Sequence, residues 1–428
     1  MVRLLGGLVL WIMTLYCGPK ARTGTGRGRE GAGIYPELAV LGFSEGSSPA
    51  LASRVARMSA LLPSFQTAGE ELARDGVPLN IKEVRRIAEQ QGFELLRTRK
   101  RDIESYRAGL MPRGMQLRGK RVGVAIDGGR VRTRVVVRKK RDKRSGQKRR
   151  QKFRTEWREP KLLIVFEMDK RGRMVRGSRP WIDGTFQGPD ACAELLAMHL
   201  HRLGAAAALS VAFLSDGAPW IWERLAWIEQ RVGLKAERVY RVLDWCHAVH
   251  HISLALHGLG LGEKERRQLY RQLRGWLKGG QAYRVTAELS LRAEGCPADA
   301  AVWTAIAFLE KHAMAGHMKY AQFRKRGVAL GSGAIESAIR RVVNLRLKGN
   351  GMLWEVKNAE AMLVLRAAAL SGRWEEALTH SRAVLCGDRR QDWQWQSPDM
   401  PGELKAGVPI TPPKPQPQSS HAAGHAAA

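Results

Sequence analysis

Cysteine is scarce in this chain. The five present, Cys17, Cys192, Cys246, Cys296 and Cys386, are odd in number and widely scattered over 428 residues. Such a set builds no disulfide framework and points to a reducing compartment, the cytoplasm of a cell. There is no CxxC pair, which removes support for a zinc ribbon or finger. Long apolar runs are also few. The run from Leu4 to Tyr16, after Arg3, is too short to span a bilayer, and Gly18-Pro19-Lys20 stands where a small-residue cleavage site would follow. A secretory signal or short anchor is therefore the minor reading of Met1 to Cys17. Acidic residues are the third shortage: 40 Asp+Glu face 72 Lys+Arg, a net charge of +32. A polyanionic partner is the simplest cause, and nucleic acid is the usual one. No basic amphipathic helix stands out to favour a membrane surface instead.

Hydrophobic content is an ordinary 44%, enough for two or three domains with cores of their own. Residues 18–48, rich in Gly, Arg and Thr, read as loop. Ala50–Leu62, Ser64–Asp75 and Ile81–Gly92 read as three short helices, the last two joined by Gly76-Val77-Pro78-Leu79-Asn80. A helix, a tight turn and a helix make the helix-turn-helix pattern, with Lys82, Arg85 and Arg86 where a groove-reading helix carries its base contacts. A plain three-helix bundle is the competing reading. Leu95–Ser105 reads as a charged connector.

From Arg121 the pattern changes. Val122-Gly-Val-Ala-Ile-Asp127 is an apolar run ending in an acid and two glycines, a buried strand that carries a carboxylate to its edge. Arg130–Val137 alternates Arg with Val and Thr, which predicts a second strand folded back on the first as a hairpin. Between Gly128 and Arg158, 15 Lys+Arg stand against 2 acids, about two-fifths of the excess charge of the chain. A solvated loop is one reading of this run. A phosphate contact through Arg138, Lys139, Lys140, Arg141, Lys143 and Arg144 is the other, favoured by its place beside a carboxylate-bearing strand. Leu162–Met168, Leu209–Ser215 and Arg238–Leu243 complete five strands, with helices over Pro189–Arg202 and Ala218–Gly233. Residues 262–316 are helical with basic surfaces, helices follow over Glu355–Ser371 and Arg373–Leu385, and the Pro-, Ser- and Ala-rich 397–428 reads as a disordered tail. The fold class is α/β: a mixed five-stranded sheet with an α-helical insertion, preceded by a small α-helical domain. The expected division is 1–48 leader and loop, 49–112 helical DNA-binding region, 113–260 first part of the core, 261–328 insertion, 329–390 last part of the core and 391–428 tail.

The stretch Gly331–Asn350 makes two demands on one helix. Ile335, Ile339, Val342 and Val343 recur at helical spacing and want a core, while Ser337, Arg341, Asn344 and Lys348 want water or an anion. Ser332 is placed to cap it. A capping box would put Glu at position 335, which is Ile, so Glu336 needs another explanation. Either it pairs with Arg340 one turn on, or it stands near phosphates with a cation between them. The second reading needs two more carboxylates. Asp127 and Asp216 end the first and fourth strands, and ligands in α/β sheets collect at such strand ends. Two strand-end acids and one helical acid suit two hard divalent cations, Mg²⁺ or Mn²⁺, about 3.5–4 Å apart at a phosphoryl group. Any single Asp-Gly is mostly a turn. Further on, Asp244 and His247 share the first turn of a helix with His251 beyond; they orient a phosphate, move a proton or bind metal, or else Asp244 simply caps the helix.

The segments VGVAIDGGRVR around Asp127, LSDGAPWIW around Asp216 and GSGAIESAIRRVVNLRLKGNGMLW around Glu336 resemble the DDE transposases of bacterial insertion sequences, ISKra-type, which have an RNase H-like core. The resemblance runs from about Leu41 to Glu376, and its last block is the most specific. It implies that Asp127, Asp216 and Glu336 are a metal-binding catalytic triad, and that the helices between Asp244 and Leu330 are the insertion domain such enzymes carry. Asp244-Trp-Cys-His247 is similar to a D/C-x-x-H motif of related Mutator-like transposases. Family members tend to have a Cys-containing strand region ahead of the helix-turn-helix; here Cys17 alone remains, so Met1 is expected to fall inside that region. The implied activity is cleavage and transfer of DNA strands by a homodimer or larger assembly on DNA, with Arg340, Arg341 and Lys348 also facing the backbone. The alternatives are an RNase H-like nuclease that cuts without joining, and a catalytically silent DNA-binding repressor. A membrane-tethered basic protein is the weakest reading.

Overall fold

The computed structural model of the protein describes residues 1–16, 35–44, 46–137, 152–349 and 351–392. The basic run Arg138–Arg144 and the tail 397–428 lie outside the described residues.

The N-terminal apolar run is a small antiparallel ribbon, β1 (Val2–Arg3) with β2 (Val9–Leu10), and no helix forms there. Nor is the reading of 18–48 as loop complete, because α1 spans Pro36–Val40. Three helices follow. Ser48 and Ser64 cap α2 (Pro49–Leu61) and α3 (Phe65–Arg74) through their side chains. Asn80 and Glu83 form a capping box at the start of α4 (Ile81–Arg107). Here the sequence reading is corrected. The recognition-helix candidate and the charged connector are one 27-residue helix, because nothing after Asn80 breaks it. Gly92, the one weak point, is where the segment around Ala361 crosses: a Cβ there would stand 2.8 Å from Ala361.

The main sheet has five strands: β3 (Arg121–Gly128), β6 (Lys161–Met168), β7 (Trp181–Thr185), β8 (Ser210–Ser215) and β9 (Val239–Leu243). Their spatial order is β7-β6-β3-β8-β9. β6 is antiparallel to both its neighbours, while β3, β8 and β9 run parallel. The count of five was expected, but the membership differs. The predicted hairpin of Arg130–Val137 on the first strand does not form. β4 (Val131–Val136) turns away at Gly128-Gly129 and pairs with β5 (Phe153–Arg158) in a separate two-stranded ribbon. Its alternating arginines keep it out: β3 and β6 are buried on both faces, and a strand with exposed Arg132 would leave a charge inside. Trp181–Thr185, too short and too polar to stand out, takes the vacant sheet edge.

Helices α5 (Pro189–Leu203) and α6 (Pro219–Val232) cover one face of the sheet around Val122, Val124, Leu163 and Phe213. The core on the other face is shared with α7 (Trp245–Gly258), α8 (Glu263–Lys278), α9 (Ala282–Ala293), α10 (Ala301–Met314), α11 (Tyr320–Lys325), α12 (Gly333–Ile339) and, past a π-helical turn at Arg340–Asn344, α13 (Leu345–Leu347). The chain closes with α14 (Val356–Leu370) and α15 (Trp374–Asp392). The inserted helices are not a separate body. Leu273, Leu289 and Leu309 share one continuous core with Leu243, Ile252, Ile335 and Leu363, and with Ala60 and Leu95 of the first helices. A buried polar knot adds a second tie: Arg99 of α4 reaches Asp183 of β7 (3.1 Å) and Glu360 of α14, while His199 of α5 holds the other oxygen of Asp183 at 2.8 Å. Among the described residues no helix is long and apolar enough to cross a membrane.

Candidate active site

The parallel pairing of β3 with β8 aligns Ala125 with Leu214. Two places further in that register, Asp127 stands beside Asp216. Both carboxylates therefore leave the sheet at one end, because the fold makes their two strands neighbours. The Asp216 side chain is fixed by its own turn: Oδ1 accepts from the Ala218 N–H at 2.9 Å and from the Ser215 hydroxyl at 3.2 Å. Gly217 makes that turn possible. Its φ is +100°, and a Cβ there would lie 2.4 Å from the ring of Phe308, on the insertion helix α10.

Glu336 lies on α12, which packs against β3 and β6, and its side chain is exposed. No ion pair joins it to Arg340. Ser332 also departs from its expected role: it stands at the N-cap without a side-chain capping bond, and its hydroxyl donates to Glu336 Oε1 at 3.2 Å instead. Asp127 senses both of the other acids. Burial pushes the Asp127 carboxyl up to about 6; its bond from the Gly128 N–H and the charge of His247 oppose this, while Asp216 and Glu336 push it further. Among the described residues no three His, Cys, Asp or Glu side chains are gathered into a ready-made ligand set. The donor chemistry nevertheless fits a hard divalent cation, since the groups are all carboxylates and their mutual repulsion is what a cation relieves.

Asp244 is fully buried and does two things. One carboxylate oxygen accepts from the His247 N–H at 2.9 Å and caps α7; the other accepts from the Ser332 N–H. Its own N–H donates to the Ser215 carbonyl at 2.8 Å. Asp244 thus ties the end of β8, which carries Asp216, to the start of the helix that carries Glu336. The capping role weighed for Asp244 in the sequence is present, and the tie to Ser332 is added by the fold. His247 is half-buried.

Several contributors were missed. Arg366 sits in an alanine- and leucine-rich helix, and that isolation was the one signal available. Its guanidinium, nearly fully buried, donates to the carbonyls of Val342 (2.7 Å), Arg341 and Ala60. It thereby takes up backbone acceptors that the π-helical turn exposes just after Glu336. Behind Asp216, His312 and His317 meet Nδ1 to Nδ1 at 2.9 Å, with Trp222 stacked on His317. Burial drives the two imidazoles down to about 4 and about 3, so both are neutral near pH 7. Nothing in a linear reading joins these positions.

The expected DNA contacts scatter. On α4, Arg86 and Lys82 are exposed, while Arg85 is half-buried and pairs with Glu89 at 2.7 Å. Arg340 and Lys348 are exposed; Arg341 is half-buried, with its Nε 3.3 Å from the Ser337 carbonyl. The chain matches no protein-family model, no curated protein and no solved structure.

Proposed function

We propose that the protein is a DNA transposase with an RNase H-like core, cutting DNA strands and joining them to a target. The observation that carries this reading is the convergence of Asp127, Asp216 and Glu336, from two parallel strands and a helix far apart in sequence, within electrostatic reach of one another. A ribbon rises directly from Asp127. Its tip, Val136 opposite Phe153, leads into the basic run Arg138–Arg144. A two-stranded ribbon is narrow enough to enter a DNA major groove, and the run supplies phosphate contacts without base reading.

Asp127, Asp216 and Glu336 would hold two Mg²⁺ or Mn²⁺ ions, which when bound neutralise charge at the phosphoryl oxygens. The chain's own contribution is positional. Asp244 fixes the spacing between the ends that bear Asp216 and Glu336, and Ser332 holds the Glu336 carboxylate. One such site serves two in-line displacements: water opens a phosphodiester, and the freed 3′-hydroxyl then attacks a phosphodiester of the target. The working form in this reading is a dimer or larger assembly on DNA in the cytoplasm.

The test is a set of single charge removals: Asp127→Asn, Asp216→Asn and Glu336→Gln. Each should stay folded, bind end-containing duplex in Ca²⁺, and lose Mg²⁺-dependent cleavage and joining together by at least about a thousandfold. Near-normal cutting by any folded variant removes that residue from the site. Cutting without joining in a strand-transfer assay would instead assign a nuclease. Binding without either reaction would assign a silent repressor.

A further inference from the structure

Between the first helices and the two segments that leave the carboxylates lies a cavity of about 290 Å³. Phe65 and Arg85 come from the helical region, Arg134 from the ribbon that follows Asp127, and Arg346 from the helical stretch that follows Glu336. Trp354 and Asn358 close it. β4 is pinned here by its backbone: Arg134 N–H donates to the Trp354 carbonyl at 2.8 Å, and Trp354 N–H to the Arg132 carbonyl at 3.2 Å.

Four polar atoms on residues that line this cavity are buried and lack a partner. Arg134 Nε, Arg346 Nη2 and Trp354 Nε1 are buried donors with no hydrogen-bond partner, and Asn358 Oδ1 is a buried acceptor with none. Arg346 is only 2% exposed, and no carboxylate pairs with it. Its guanidinium is held in place by the Ser59 carbonyl (3.2 Å) and by the faces of Phe65 and Trp354, at 4.8 and 5.2 Å. Arg134 is steadied by Glu355 at 3.2 Å, and Asn358 by Glu89, to which its Nδ2 donates at 2.8 Å. Buried donors left unpaired cost free energy, and three of them on residues around one cavity, two on arginine guanidinium groups, favour an anion beside them. Three arginines and one glutamate line it, so its charge is net positive.

We propose that this cavity takes one phosphate group of a bound DNA strand, gripped by Arg134 and Arg346 with the Trp354 N–H as a third donor. Asn358 Oδ1, an acceptor, would take a bridging water rather than the phosphate itself. The site joins the helical region to the ribbon and to the Glu336 helix, so a phosphate seated there would fix the strand relative to both. The anion cradle stands on this geometry alone; DNA as the source of the phosphate rests on the function proposed above.

The variants are Arg134→Gln, Arg134→Lys and Trp354→Phe, measured on the full chain. Arg134 is chosen because its side chain is about one-third exposed, 34%, and the fold does not hang on it as it does on Arg346. The first probe is inorganic phosphate at constant ionic strength. It should raise the melting temperature of the parent protein, raise that of Trp354→Phe less, and leave Arg134→Gln unmoved. The second probe is duplex DNA without divalent cations. Arg134→Gln should weaken binding about tenfold and lower the slope of log K against log salt by about 0.9, the value of one phosphate contact, with Arg134→Lys close to the parent. Phosphate protection of the parent alone, with an unchanged DNA slope, would mean that the cradle takes a free anion and would overturn DNA as the source. No difference between parent and Arg134→Gln with either probe would overturn the site. Neither measurement involves strand cutting. A protein that shows both shifts but never cuts DNA would keep the cradle and lose the transposase reading, and one that cuts without the shifts would do the reverse.

Discussion

Asp127 is a residue whose burial works against its own charge. Its folded-state carboxyl titrates at about 6 against an ordinary 3.8, so between those values the folded protein binds the proton that the unfolded chain has released. Stability contributed by that group is therefore lost as pH rises from about 4 to about 6, and the penalty is complete above that. Asp127→Asn should then be more stable than the parent near pH 7, by about 1 kcal/mol once solvent screening is allowed for, and the gain should vanish below about pH 4. Thermal unfolding at the two pH values checks this. A variant less stable at pH 7 would mean that the charge is well solvated in the folded state. Asp183 behaves in the opposite way: Arg99 and His199 outweigh its burial and hold its carboxyl below the usual range, so its contribution is present at neutral pH and lost on acidification.

At the scale of elements, the helix bearing Glu336 is shaped by a residue that comes thirty positions later. The π-helical turn at Arg340–Asn344 leaves carbonyls without regular helical partners, and such turns gather at functional sites. Arg366 collects two of them together with the last turn of α2, so one guanidinium joins α14, the segment after Glu336 and the helical region. Arg366→Met keeps the apolar stem and removes the fork. It should cost about 2–4 kcal/mol, as a few charged hydrogen bonds disappear and buried carbonyls are left unpaired. Hydrogen exchange should accelerate at the amides of 340–347 and of the α2 C-terminus in particular. A drop in melting temperature with uniform exchange would make Arg366 ordinary core filling. The ribbon β4–β5 carries the complementary lesson. Its alternating residues announced a strand, but strand pairing was decided by which neighbour tolerates arginine, and that was visible only once β6 had taken the place beside β3.

At the scale of the molecule, the regions distinguished in the sequence are welded together. Ala56, Leu95, Val242, Leu289, Ile335 and Leu363 belong to one buried cluster that spans the first helices, the sheet, the insertion and the closing helices. Tyr320 of the insertion donates to the Leu243 carbonyl at 2.9 Å, beside Asp244. Differential scanning calorimetry should accordingly show one main transition; two well-separated peaks would mean that the helical region or the insertion unfolds by itself.

The sequence by itself determined the local elements, because hydrophobic period, capping residues and glycine placement act over a few residues: nearly every helix and four of the five sheet strands were legible there. It also determined the candidate carboxylates, because an acid that ends an apolar strand, or one on a helix that no capping box explains, is conspicuous, and the charge of +32, which no folding can alter. Only the tertiary structure decided that Asp127 and Asp216 share an edge, that Asp244 spans the two ends of the site, and that Arg134 and Arg346 open onto one cavity. Those facts depend on strand order and on contacts between residues roughly a hundred to two hundred positions apart, whose pairing is set by packing the whole core and leaves no periodic trace in the chain.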